Sequence, residues 1–186
     1  LIIGTMIQQI GLLIGGSTGN VIYLLGKAAA ALTSAGIGVG VAVKYGESPL
    51  VTVSAAVAAM VGGYAGKITG GTFFVDGNAV LAGPGEPLGA FIAAFAGITC
   101  GHLVSGKTKV DIIVTPVITI GAGSVVGLLV GPPISQMMTG LGSIINWATE
   151  QRPFIMGIVV SVVMGMVLTL PISSAALGII LNPVSY

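Results

Sequence analysis

Apolar runs of near-bilayer length, separated by short polar interruptions, organise this chain from end to end. A membrane-crossing helix needs about 20 apolar residues. By that measure the spans are Leu1–Leu25, Ala28–Val43, Leu50–Ala65, Leu88–Val104, Ile112–Val130 and Phe154–Leu170, with Ile172–Leu181 beginning another. The first is interrupted by GGSTGN at 15–20, which predicts a broken or re-entrant segment rather than one clean crossing. None of the runs alternates polar with apolar, as barrel strands would, so the pattern predicts an all-α membrane bundle.

The interruptions carry their own signals. KYGESP at 44–49 is a polar turn, and SGKTKVD at 105–111 holds much of the local charge. Two apolar triplets flank Asp76-Gly77-Asn78 in TFFVDGNAVLAGPGEP (72–87), which predicts a short β-hairpin over residues 72–82. GPP at 131–133 is expected to end the fifth span, because proline cannot donate within a helix interior. From Ile134 to Gln151 the texture changes. Ile134, Met137, Met138, Leu141, Ile144, Ile145 and Ala148 fall at helical spacing opposite Ser, Gln, Thr and Asn. That stretch reads as an amphipathic helix lying in the interface with Trp147 at headgroup level; a span facing a polar cavity is the other reading.

Composition sharpens the class. Of 186 residues 54% are hydrophobic and only 6% charged, against roughly 25% charged in soluble domains, so these charges could not cover a water-facing surface. The net charge of +1 gives no electrostatic basis for binding nucleic acid. No metal-ligand spacing, nucleophile triad or phosphate loop is present, so no catalytic site, metal or cofactor is expected. Cys100 is alone, in FIAAFAGITC, and reads as a buried inert thiol. Thirty-one glycines include the pairs Gly36/Gly40, Gly62/Gly66, Gly97/Gly101, Gly123/Gly127 and Gly127/Gly131, the small-xxx-small spacing that lets membrane helices approach closely. If the spans alternate, Lys27 and Lys67 share one side, and Lys44, Lys107 and Lys109 share the other, cytoplasmic one.

Polar groups are costly in a membrane, so their positions are informative. Asp111 stands at the mouth of the fifth span with Thr115-Pro116 one turn inside; it reads either as a partner of the helix dipole or as part of a site. Thr149, Glu150, Gln151 and Arg152 cluster before a proline and a new span, as a solvated loop or as ligand-binding groups. Pro171 breaks an apolar run and is followed by Ser173 and Ser174, a simple kink or a broken helix of the kind that lines transporter sites. Glu86 lies between two prolines before the fourth span, and His102 stands alone near a helix end with an interfacial position expected. The substrate-binding residues expected from this reading are Asp111, Thr115, Glu150, Gln151, Arg152, Pro171, Ser173 and Ser174.

SGKTKVDIIVTP, VGPPIS, NWATEQRPFIMGI and LTLPISSAAL, set within Leu88–Leu181, resemble the membrane-embedded enzyme IIC proteins of the bacterial phosphotransferase system, nearest to the branch that includes the perfringolysin O regulator (PfoR-like). GKAAAALTSAGIGVGVAVKYGESPL looks similar to the same family. The resemblance implies a multi-pass sugar permease subunit of the bacterial cell membrane, a homodimer, served by separate IIA and IIB proteins. It also implies that residues 1–186 are one transmembrane domain, the core portion of a longer protein. A secondary transporter or channel, and a ligand-sensing membrane regulator, are the alternative functions.

Overall fold

The computed structural model describes residues 2–75, 78, 79, 83, 85–107 and 109–149, and the helical positions 157, 158, 161, 162, 165 and 166. Among the described residues the helices with defined bounds are, in order, α1 (Ile2–Ile14), α2 (Gly16–Ala31), α3 (Thr33–Lys44), α4 (Pro49–Gly63), α5 (Ala65–Thr69), α6 (Pro87–Val104) and α7 (Asp111–Thr149). Between α5 and α6, β1 (Phe74–Val75) and β2 (Asn78–Ala79) form two antiparallel rungs, Phe74 opposite Ala79 and Val75 opposite Asn78. The β-hairpin expected over 72–82 is not supported as an architectural element. Two rungs fall short of an ordinary strand, and Asp76 and Gly77 lie outside the described residues. The fold is helical.

Gly15 and Gly16 both take positive φ, 64° and 66°, and reverse the chain so that α1 and α2 pack antiparallel. A Cβ on Gly11 would stand 2.5 Å from the Tyr23 nitrogen, and one on Gly26 would stand 2.7 Å from the Gln8 nitrogen. The expected interruption at 15–20 is therefore the tip of a helical hairpin. The expected gap between Leu25 and Ala28 is absent, because Gly26 and Lys27 lie inside α2. The chain bends by 42° between α2 and α3, across Leu32.

The core is a sandwich of α3, α4, α6 and α7. Its glycines and alanines decide how close the helices come. Antiparallel α6 and α7 meet where a Cβ on Gly97 would lie 2.6 Å from the Thr119 carbonyl oxygen and 3.4 Å from the Gly123 Cα. Parallel α4 and α7 meet at Gly62 and Gly127, with 2.9 Å from the Gly127 Cβ position to the Gly62 Cα. Ala42, Val51, Ala55, Ala59, Ala90, Ala94 and Ile98 fill the buried centre. The large side chains point the other way: Val53, Val57, Phe91, Phe95, Val117, Val125 and Leu129 are exposed. Small residues inside and large apolar ones outside suit a bundle whose solvent is hydrocarbon.

By length and composition, α6 and the Asp111–Ile144 part of α7 can each cross a membrane, and α2 with α3 can do so as one bent span. α1 and α4 are apolar but shorter. Pro49 and Pro87 each begin a helix where their missing N–H costs nothing, and Ser48 caps α4 by accepting from the Val51 N–H at 3.4 Å.

α7 corrects two expectations. Pro132-Pro133 does not end the span, and Ile134–Thr149 is no separate interfacial helix but the continuation of α7. The prolines leave the Leu128 and Leu129 carbonyls without their intrahelical donors, yet α5 packs on both sides of them, Ala65 against Gly131 and Gly66 against Ser135. Tertiary contact carries the helix through a sequence that locally disfavours it. At 39 residues α7 is about 58 Å long, roughly twice the hydrocarbon thickness. The spans expected at 154–170 and 172–181 fall on or largely on residues outside those described.

Candidate functional site

Polar groups converge at both ends of the sandwich. At the first end, three helix breaks meet: the α2–α3 bend, the α4–α5 break at Tyr64 and the start of α6 at Pro87. Tyr64 is buried, and its hydroxyl donates to the Gly83 carbonyl at 2.5 Å, with the Ala31 carbonyl 3.3 Å away. The ring carries the Lys67 ammonium 5.4 Å from its centroid, within cation–π range, and packs against Phe73 at 5.7 Å. Gly85, at φ +70°, sits so close to α3 and α4 that a Cβ would lie 2.7 Å from Ser34 Oγ and 3.0 Å from the Gly63 carbonyl oxygen.

That turn delivers Glu86. Its N–H donates to the Gly63 carbonyl at 2.7 Å, and its side chain is hydrogen-bonded to Ser135 of α7. Burial raises the Glu86 carboxyl above its ordinary range, opposed by the Ser135 hydrogen bond and the Lys67 charge. Burial lowers Lys67, opposed by Glu86. A half-buried carboxylate, an ammonium, two hydroxyls and a phenol thus gather from α3, the α4–α5 break, α5, the Gly85-Glu86 segment and α7. Such a set can accept hydrogen bonds from the hydroxyls of a polyol and donate to its oxygens, with aromatic rings beside it. It holds no group of three metal-ligating side chains among the described residues.

At the other end, Asp111 Oδ1 accepts from Thr115 Oγ1 at 2.6 Å and from the Gly106 N–H at 3.0 Å. Asp111 therefore closes the loop before α7 onto the helix's first turn. Close by, His102 Nδ1 pairs with Glu47 Oε1 at 2.9 Å, the histidine side chain 71% exposed and the glutamate 7%, and Ser48 meets Ser105 at 3.2 Å between their hydroxyls. These contacts bind the α3–α4 loop to the end of α6. Lys44 and Lys107 share this end, whereas Lys67 lies at the first.

Of the expected site residues, Asp111 and Thr115 are brought together, at the end away from Glu86. The 18 residues of α6 separate the two ends by about 27 Å. Glu150, Gln151, Arg152, Pro171, Ser173 and Ser174 lie outside the described residues. Sequence reasoning picked out Glu86 as a costly polar position but missed Ser34, Tyr64, Lys67 and Ser135 as its surroundings. One signal was available. Asp111, Thr115, Thr119, Gly123, Gly127, Gly131 and Ser135 recur at every fourth position of α7, a polar-to-small-to-polar stripe joining the two ends.

Comparison with curated proteins finds no match, and comparison with solved structures finds none either. The profile of the family described as "Phosphotransferase system, EIIC" matches residues 1–184. With two ends of clustered polarity, a small-residue core and an apolar exterior already in place, that match identifies the chain as a member of the phosphotransferase system enzyme IIC family.

Proposed function

We propose that this membrane component of a phosphotransferase system carries a small polar carbohydrate across the bilayer, and that Glu86, Lys67 and Ser135 form part of its binding site. The observation that carries the reading is the convergence of these three groups at the meeting of helix breaks, in a chain with only 6% charged residues. Charged and hydroxyl groups in such a place are costly unless they serve a ligand or one another. Separate IIA and IIB proteins supply the phosphoryl group, because the described residues hold no phosphoryl-accepting histidine or cysteine at the Glu86 end.

A finer reading is part of the same proposal. The chain is one transmembrane domain of a bacterial plasma-membrane homodimer of the PfoR-like branch, with the Asp111 end cytoplasmic by its lysines. Glu150, Gln151, Arg152, Pro171, Ser173 and Ser174 complete the carbohydrate site, with Asp111 and Thr115 lining the path at the other end.

Uptake of radiolabelled sugars into proteoliposomes, with and without IIA and IIB, tests this reading. Uptake that requires IIA and IIB and falls at least tenfold in Glu86→Gln supports it; the loss of a hydrogen bond to a charged group is worth about 1.5–3 kcal/mol. Uptake that is indifferent to IIA and IIB points instead to a secondary transporter, and ligand binding without uptake to a regulator.

A further inference from the structure

Among the described residues, Thr119 Oγ1 is a buried side-chain oxygen with no hydrogen-bond partner, in a residue that is 0% exposed. Other helix hydroxyls avoid that fate by donating to the carbonyl four residues back, as Thr52, Ser54, Thr69, Thr99 and Thr139 do. Thr119 instead aims its hydroxyl across the seam at Gly101 of α6, on whose Cβ position it abuts. An unsatisfied buried hydroxyl opposes folding, so this packing is stable only because the surrounding seam is good. Apart from Thr119 against Gly101, the seam is made of small residues: Gly97 of α6 and Gly123 of α7 face each other across it. Smooth packed helices are suited to small sliding or parting motions.

Thr119 also continues a series. Asp111 holds Thr115 at 2.6 Å, and Thr119 lies one turn further in, on the same four-residue stripe. We propose that the α6–α7 seam opens from the Asp111 end and that Thr119 then becomes a hydroxyl-binding residue of the carbohydrate path, passing solute hydroxyls on to the Asp111–Thr115 pair. The orphaned hydroxyl is the mark of a partner present in the open arrangement and absent in the closed one. This rests on the permease reading above, and its test uses neither Glu86 nor any sugar, so that the two can fail separately.

The experiment has two arms, both in the full-length protein in liposomes. In a Cys100→Ala background, Thr119→Cys is exposed to a water-soluble cationic methanethiosulfonate reagent, with Ala42→Cys, equally buried at 0%, as the closed-core control. Modification at 119 at least tenfold faster than at 42 is expected; equal rates overturn the proposal. Thr119→Val keeps the shape and removes the hydroxyl, so Tm should rise by a few degrees. A lower Tm means that the hydroxyl is bonded in the closed protein, and this also overturns the proposal.

Discussion

Gly66 of α5 lies directly against Ser135 of α7: a Cβ on Gly66 would stand 2.5 Å from Ser135 Oγ and 2.7 Å from its Cβ. This contact fixes the hydroxyl that hydrogen-bonds Glu86. It also pins α7 just past the proline pair, so one glycine serves both the helix's continuity and the candidate site. Gly66→Ala should therefore push Ser135 off Glu86. Weakened sugar binding should accompany a loss of about 1–3 kcal/mol of stability, as overpacking usually costs. Gly66→Ala with unchanged stability and binding, read by thermal unfolding and ligand titration, would show that α5 and α7 can part here without consequence.

The Glu86 carboxyl is raised by burial above its ordinary value of 4.5, so the folded protein holds that proton more tightly than the unfolded chain does. Its contribution to stability is then present below pH 4.5 and lost as pH rises through the folded-state value. Thermal unfolding across this acid range should show wild-type Tm falling with rising pH, and Glu86→Gln should flatten that slope. Parallel slopes in the two proteins would place the titration elsewhere.

Glycines of one spacing should differ in their tolerance. Gly36 and Gly40 meet nothing within 4 Å, whereas Gly38 between them would put a Cβ 2.5 Å from the Ala55 carbonyl oxygen. Gly36→Ala and Gly40→Ala should be neutral or stabilising by up to about 1 kcal/mol, since alanine is the better helix former. Gly38→Ala and Gly123→Ala should each cost about 1–3 kcal/mol by forcing helices apart. Unfolding measurements on the four variants decide it.

Much of this was legible from the chain itself, and the reasons differ by residue. The starts of α4 and α6 are written in Ser48-Pro49 and Glu86-Pro87, local start signals that need no partner. The tip of the α1–α2 hairpin is written in Gly15-Gly16. Gly62/Gly66, Gly97/Gly101 and Gly123/Gly127/Gly131 were marked as contact positions and do lie at helix contacts, but Gly36/Gly40, with the same spacing, do not. Spacing states which residues share a helix face and says nothing of whether another helix covers it.

By itself, the sequence determined the helical membrane class, because hydrocarbon admits only segments that satisfy their own backbone. It also determined the breaks at glycine, proline and polar turns, which follow from backbone chemistry one residue at a time. Only the tertiary structure decided that α7 runs on through Pro132-Pro133, since α5 packed beside it outweighs the hydrogen bonds those prolines forfeit. It alone brought Glu86, Lys67, Ser34 and Ser135 together from segments up to 101 positions apart in number, and left Thr119 without a partner. These are consequences of which helix covers which face, a choice made by the packing of the whole bundle and carried by no local stretch of the chain.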